Sequence, residues 1–246
     1  MVSKNIKSIV VGYGSAGQRH CNNLESLGYE VAIVSSFNTV KYDRYAYLSE
    51  AIDSENPNFV VIASPNYRHV RELEECINKK IPCLIEKPLS TSLKQLKNRI
   101  DINTVLSSEY RVAYLLRYHP FVQRALIDIE KIKPVFQASL RYGNYLPWWR
   151  SETDYRNSYS SKESEGGGVL FDLSHEVDLI THLFGSVNKL LGITRKVSSL
   201  EITSDDLCVV MFEMKSGQVV ELSLDYFNRI PERKIIINGS KGTIKI

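Results

Sequence analysis

The chain has 246 residues, with 31 lysines and arginines against 28 aspartates and glutamates and a formal net charge of +3. That near-balance, without a long run of either sign, leaves no footprint for nucleic acid and mildly favours a small anionic ligand. No stretch is apolar for long enough to span a bilayer and the N-terminus lacks a signal-peptide core, so a cytoplasmic protein with no membrane partner is expected.

Ile6 to Val11 reads as a strand, and a helix runs from the turn that follows it to about Leu27. The turn, Gly12-Tyr13-Gly14-Ser15-Ala16-Gly17, has the spacing of a dinucleotide-binding loop: Gly12 permits the tight turn, Gly14 lets a pyrophosphate approach the backbone, and Gly17 lets the helix pack on the strand. Ser15 and Ala16 open the helix, where free N–H groups and a partial positive charge suit phosphate. The bland alternative is a close turn in a sheet that binds nothing. Further along, Glu30 to Ser36 reads as a strand and Leu48 to Ser54 as a helix. Asn58 to Ser64 is a continuous apolar run suited to a strand buried on both faces. A helix with Val70, Leu73 and Ile77 on one face precedes strands at Pro82 to Glu86 and Tyr110 to Leu116. This alternation predicts an α/β, Rossmann-type, doubly wound parallel sheet over residues 1–117.

Residues 118–246 change character. A helix at Phe121 to Lys131 leads to a strand at Val135 to Tyr142 and a second helix. Strands follow at Lys189 to Lys196, Leu207 to Met214, Gln218 to Asp225 and Lys234 to Asn238, with a hairpin turn over Lys215 to Gln218. The pattern predicts an α+β domain for substrate binding and oligomerisation, its mainly antiparallel open sheet running as a meander with helices on one face. Leu207 to Met214 is apolar on both alternating faces, which suits a sheet covered on two sides. A second copy is the expected cover, giving a homodimer or homotetramer. Cys21, Cys76, Cys83 and Cys208 are far apart in sequence, without histidines at ligand spacing, so they read as buried small hydrophobes and no metal is expected.

The strand ends carry the most specific signal. Gly12, Gly14 and Gly17 with His20, then Pro65, Asn66 and His69, then Glu86-Lys87-Pro88 form three motifs in chain order. Gly166-Gly167-Gly168 followed by Asp172 and His175 forms a fourth. With these the chain resembles the Gfo/Idh/MocA family of NAD(P)-dependent oxidoreductases, named for glucose-fructose oxidoreductase and inositol dehydrogenase. The resemblance implies that NAD or NADP is bound by Gly12, Gly14, Ser15, Ala16, Gly17, Ser35, Ser36, Ser64, Pro65, Asn66, His69, Glu86 and Lys87. It implies catalytic roles for Lys87, Asp172 and His175.

Elementary chemistry agrees. Ligands bind at strand C-termini at the switch point of such a sheet, where Pro65-Asn66 and Lys87 fall. A lysine beside a charged cofactor can share a proton with a substrate oxygen. Asp172, His175 and Glu176 are spaced to share one face of a helix, so a carboxylate can orient an imidazole whose ordinary pKa is about 6.5. The blander readings are a surface lysine, a helix cap and a core histidine. His20 and His69 read as structural or cofactor-adjacent, and His119 and His182 carry no assignment.

Three features depart from the family pattern. Val34-Ser35-Ser36 offers no acid for a ribose, so NADP is slightly favoured, with Lys41 or Arg44 to meet a 2′-phosphate. The region from Phe37 to Tyr47 is short for a crossover helix. The Asp172–His175 spacing is three rather than the usual four, and the chain ends at Ile246, where relatives continue, so a minimal second domain or a truncated sequence is expected.

The connection from Tyr142 to Gly168 is long and aromatic. Loops of this kind are usually functional or disordered, and disorder sits badly with Trp148, Trp149, Tyr155 and Tyr159. Trp148 and Trp149 offer faces for sugar C–H surfaces, while Arg150, Arg156 and Lys162 can pair with phosphate or carboxylate. With Lys87, Arg117, Asp172 and His175 they make up the expected substrate site. The alternative for the tryptophans is that they pin the loop to its domain. The resulting expectation is a hydride-transferring sugar or polyol dehydrogenase or reductase acting on a carbohydrate-type small molecule, such as a nucleotide sugar or sugar acid. The rival is a catalytically silent dinucleotide sensor or assembly protein on the same fold.

Overall fold

The computed structural model describes residues 6–37, 41–105, 109–149 and 154–246. The chain divides into two compact units, Met1–Ala113 and Tyr114–Ile246.

The first unit is built on strands β1 (Lys7–Val11), β2 (Glu30–Val34), β3 (Asp43–Tyr45), β4 (Phe59–Ile62), β5 (Cys83–Ile85) and β6 (Tyr110–Val112). They pair in the order β3-β2-β1-β4-β5-β6, and every pairing is parallel. Helices α1 (Ser15–Ser26), α2 (Leu48–Glu55), α3 (His69–Asn78), α4 (Leu93–Arg99) and α5 (Ile102–Val105) make the connections. Successive strand side chains point to opposite faces. Ile9, Val11, Val60 and Ile62 therefore enter one core with Ala51, Val70 and Leu73, while Val10, Ile33 and Val61 enter another with Cys21 and Leu24 of α1. Burial on both faces explains why these strands are apolar runs rather than alternating patterns.

The short β3 was not expected. It lies beside β2 as a parallel edge strand, with Ile33 opposite Arg44, in the region that is too short for a crossover helix. The sixth strand ends at Val112 instead of running to Leu116. A 3-10 turn over Leu115–Tyr118 follows, and Leu116 packs against the core of the second unit.

That second unit contains α6 (Pro120–Ile132), β7 (Val135–Gly143), α7 (Val169–Asp172), α8 (Ser174–Phe184), β8 (Val187–Arg195), β9 (Leu207–Met214), β10 (Val219–Asp225), β11 (Glu232–Gly239) and β12 (Gly242–Lys245). The sheet order is β12-β11-β7-β10-β9-β8. Strands β8, β9 and β10 form the expected antiparallel meander, but β7 is inserted between β10 and β11, parallel to the first and antiparallel to the second. The sheet is mixed and mostly antiparallel. Its inner face, including Ala138, Leu140, Val220, Leu222 and Ile237, packs on Ala125 and Ile129 of α6 and Leu179 and Ile180 of α8.

The opposite face is open within this chain. Leu191, Val209 and Met211 are 77%, 45% and 50% exposed. A shallow depression of about 370 Å³ crosses it between Arg141, Met211, Glu221, Lys234 and Ile236. All four cysteines are buried. Among the described residues, no cluster of side chains is suited to a metal ion and no helix is long and apolar enough to cross a membrane.

Candidate functional site

In the first unit, the backbone bonds that end the strands gather the motif residues on one edge. The Gly12 N–H donates to the Val34 carbonyl at 2.8 Å, Ala63 to Val11 at 2.8 Å and Glu86 to Ile62 at 2.8 Å. The three glycines of the loop then do different work. Gly12 has φ +91°, and a Cβ there would stand 2.6 Å from the Ala63 oxygen. A Cβ on Gly17 would fall 1.9 Å from the Gly12 oxygen. Gly14 has an ordinary φ of −74°, and nothing lies within 4 Å of the place its Cβ would take. The first and third glycines are required by the fold itself, whereas the middle one keeps a space open in front of α1. That helix has no side-chain cap at its N-terminus and no acid in its first turn. Ser15, Ala16 and Gly17 thus begin a helix whose leading N–H groups and dipole suit a pyrophosphate, and the opening at Gly14 is where one fits.

The other two motifs are tied to this edge. His69 is fully buried at the start of α3, its Nδ1 2.9 Å from the Pro88 carbonyl and its Nε2 2.9 Å from the Ser64 carbonyl. A neutral imidazole donates through one nitrogen only. Burial pushes the His69 pKa down, against the pull of the two carbonyls. The side chain thereby clasps Ser64-Pro65-Asn66 at the end of β4 to the Lys87–Pro88 bond, which is cis. Ser64 donates its hydroxyl to buried Glu72. Glu86 accepts from His20 of α1 at 2.9 Å, with Arg19 at 3.9 Å. Burial opposes ionisation of Glu86, but His20, Arg19 and Lys87 outweigh it and hold the carboxyl below its ordinary range. The glycine helix and the Glu86-Lys87-Pro88 turn are therefore locked together, with Lys87 half-buried beside Glu86.

At the end of β2, Ser35 accepts from the Phe37 N–H at 3.0 Å and Arg44 donates to the Ser35 carbonyl at 3.1 Å. Lys41 is instead paired with Glu25 at 2.6 Å, in a depression with Lys7 and Glu30, which begin β1 and β2. Of the two cations expected to meet a 2′-phosphate, Arg44 alone is at the C-terminal edge.

In the second unit, the Gly166–Gly168 run builds a helix start. Gly166 is left-handed at φ +78°, a Cβ on Gly167 would fall 2.1 Å from the Tyr159 oxygen, and one on Gly168, at φ +120°, would fall 2.3 Å from the Asp205 carboxylate. That carboxylate accepts from the Leu170 N–H at 3.1 Å and the Asp205 carbonyl accepts from Val169 at 3.0 Å, capping α7 from a distant segment. Burial raises the Asp205 pKa, only partly offset by these N–H groups. The helix expected to carry Asp172, His175 and Glu176 on one face is broken at Leu173, so Asp172 ends α7 and His175 lies in the first turn of α8. A continuous i, i+3, i+4 face is therefore not the reason these residues are placed as they are. Asp172 is buried and accepts from the Tyr226 hydroxyl at 2.6 Å. Tyr226 is itself wholly buried and meets Trp149 edge-on at 5.1 Å. His175 is half-buried against the edge of Tyr114, and Glu176 is held by Arg233 at 2.8 Å.

The remaining expected substrate residues divide sharply. Arg117 is bidentate to Asp178 of α8, at 2.8 and 2.5 Å. Arg156 lies against Asp154 at 2.7 Å and Glu201 at 3.4 Å, and Lys162 against Glu165 at 2.8 Å. These three cations brace their own unit. Trp149 packs against the core, whereas Trp148 is 54% exposed. Arg150 lies outside the described residues. His119 caps α6 through Phe121, and His182 is half-buried in the last turn of α8. Sequence reasoning missed Tyr226 and Asp205. The acid pair before β9 was the only available signal for the latter, and a tyrosine after a strand carries none.

A Rossmann-type fold with a dinucleotide-type loop is defined by this sheet and turn, and similarity to known proteins specifies the family. Residues 6–114 match the oxidoreductase family, NAD-binding Rossmann fold, and residues 123–245 match the GFO/IDH/MocA C-terminal domain. The chain belongs to the Gfo/Idh/MocA family. It is 24% identical over 205 residues to the 2,7-anhydro-N-acetylneuraminate hydratase of Escherichia coli K12, covering 81% of this chain and 54% of that protein. It is 25% identical over 263 residues to inositol 2-dehydrogenase 2 of Mycolicibacterium vanbaalenii, covering 98% and 72%. In fold it is similar to the WlbA dehydrogenase of Bordetella pertussis, solved with NADH and UDP-GlcNAcA, with a TM-score of 0.86, 18% identity and coverage of 100% and 75%. The chain thus spans about half the length of the first of these relatives.

The glycine geometry separates binding from folding. Gly14→Val is expected to keep the melting temperature within a few degrees while abolishing NADH binding by fluorescence titration. Gly12→Val and Gly17→Val should lower unfolding stability by about 1–3 kcal/mol or more, as overpacking does, which urea denaturation would measure.

Proposed function

We propose that this protein is an NAD(P)-dependent dehydrogenase or reductase acting on a carbinol or carbonyl carbon of a carbohydrate-type substrate. The observation that carries the reading is the open space at Gly14 in front of an uncapped helix, on the same strand edge as Glu86-Lys87-Pro88. When bound, the nicotinamide supplies or accepts the hydride at its C4. Lys87 is assigned the polarisation of the substrate oxygen, and His175 the uptake of its proton in oxidation and its return in reduction. Asp172, fixed by the Tyr226 hydroxyl, positions the imidazole. Relatives whose names specify inositol and glucose 6-phosphate dehydrogenases support the substrate class.

Lys87→Ala and His175→Ala should each lower kcat by at least about 10²-fold, the scale of lost acid–base catalysis, with little change in cofactor affinity. Asp172→Asn should do less harm. These are measured by cofactor absorbance with a panel of nucleotide sugars, sugar acids, sugar phosphates, free sugars and inositols. Near-normal turnover in the Lys87 variant would move the chemistry elsewhere. Firm dinucleotide binding without turnover of any panel member would favour a dinucleotide sensor.

NADPH is proposed to bind at least as well as NADH, because β2 is followed by Ser35 and Ser36 with Arg44 at hand. Arg44→Ala should weaken NADPH more than NADH in parallel titrations. A clear NADH preference unaffected by that change would overturn the assignment.

The open face of the second unit, with Leu191, Val209 and Met211, is proposed to pack on another copy in a closed symmetric assembly. Light scattering at micromolar concentration should give a dimeric or tetrameric mass, and a monomeric mass would contradict this.

A further inference from the structure

The second unit holds a cation whose surroundings differ from those of Arg117, Arg156 and Lys162. Arg229 lies in the connection between β10 and β11, its guanidinium carbon 4.2 Å from the centre of the Tyr145 ring and 5.7 Å from that of Trp148. The two rings meet edge-on at 5.0 Å, and Arg229 donates to the Tyr145 hydroxyl at 3.3 Å. No carboxylate among the described residues lies within ion-pair distance of Arg229. Among the described residues the Tyr145 hydroxyl is the hydrogen-bond acceptor of its five-donor guanidinium.

The support beneath it is rigid. Buried Asp225 accepts from the N–H groups of Phe227 and Asn228 at 3.2 and 2.7 Å, fixing the turn that carries Arg229. A Cβ on Gly143 would fall 2.7 Å from that carboxylate, so the end of β7 is pressed against the same turn. Asn144 donates to the Asp225 carbonyl at 3.2 Å and Leu146 to the Tyr226 carbonyl at 2.8 Å, which fastens the Tyr145–Trp148 segment alongside. Tyr226, three residues before Arg229, is the residue whose hydroxyl holds Asp172.

We propose that Arg229, seated on Tyr145 and Trp148, is an anion-recognition residue that binds a carboxylate or phosphate carried on a sugar ring. A guanidinium laid on an aromatic face has less side-chain freedom left to lose, and its planar fork matches two oxygens of an anion. The exposed face of Trp148 suits the ring's C–H surface beside that anion. The inference rests on the carbohydrate reading above, and it transfers the anion-binding role from Arg156 and Lys162, which are neutralised by their own neighbours. A desolvated carboxylate partner would have made Arg229 structural as well, and none is present among the described residues.

The test titrates the full chain, with and without NADP⁺, while following the fluorescence of its two tryptophans. The probes are glucuronate, glucose 6-phosphate, glucose and inorganic phosphate. Glucuronate or glucose 6-phosphate should give a saturable change that glucose does not. Arg229→Gln should weaken that binding by about tenfold or more, as expected for a lost charge-assisted bidentate pair, and Arg229→Lys should restore part of it. Arg156→Gln should leave it unchanged. The proposal is overturned if glucose binds as tightly as glucuronate, if no anion gives a saturable response, or if Arg229→Gln has no effect. It also falls if inorganic phosphate binds as well as glucose 6-phosphate, since the ring then contributes nothing. Arg229-dependent binding of the sugar anion without hydride transfer to or from any member of the wider panel would retain this site while removing the dehydrogenase reading.

Discussion

Backbone pressed on backbone is the constraint from which the rest of the structure follows. At Gly17 there is no room for a single carbon atom beyond the main chain, because the Gly12 carbonyl occupies its place. That contact brings the start of α1 against the end of β1, and the helix dipole then falls at the edge where β4 and β5 also end. Gly167 plays the same part in the second unit, lying against the Tyr159 and Ser160 carbonyls. In the first unit glycine lets a helix start against a strand end, and in the second it lets a helix start against the 3-10 turn at Tyr159–Ser161.

Electrostatics separates the polar residues that hold helices in place from those without a carboxylate partner among the described residues. Glu86, Asp178, Glu176 and Asp205 each secure a helix through His20, Arg117, Arg233 or the N–H groups of α7. Burial costs these carboxylates free energy, so each is satisfied by a cation or a backbone donor. A cation's position in a loop therefore says little about its role. Arg156 and Arg229 sit in comparable connections, yet one is spent on Asp154 and Glu201 while the other rests on aromatic rings.

The parallel sheet was legible in the sequence because strands buried on both faces leave continuous apolar runs, as Phe59 to Ile62 does. The glycine loop was legible because its spacing encodes a backbone conformation. What was not legible depends on contacts between distant segments. The insertion of β7 between β10 and β11 is invisible to periodicity, since Val135–Gly143 has the same alternation whichever strand it joins. The break at Leu173 was hidden by a helix-compatible sequence, and the cap on the start of α7 comes from Asp205, 35 residues beyond Leu170 in the chain. The pairing of Tyr226 with Asp172 joins residues whose separation of 54 positions leaves no local pattern. β3 escaped notice because Asp43-Arg44-Tyr45 is too short and too polar to read as a strand, and only the neighbouring β2 makes it one.

The placement of β8 at the end of its sheet has a consequence for how this chain behaves in company. A nine-residue strand with Leu190, Leu191 and Ile193 exposed and one side of its backbone unpaired is a template on which any extended chain can add. The register slip between Val187 and Lys189 and the charges of Lys189 and Arg195 near the two ends of the strand act as gatekeepers. Neither side chain belongs to the core, so removing those charges is expected to leave the fold intact and to make this border more adhesive.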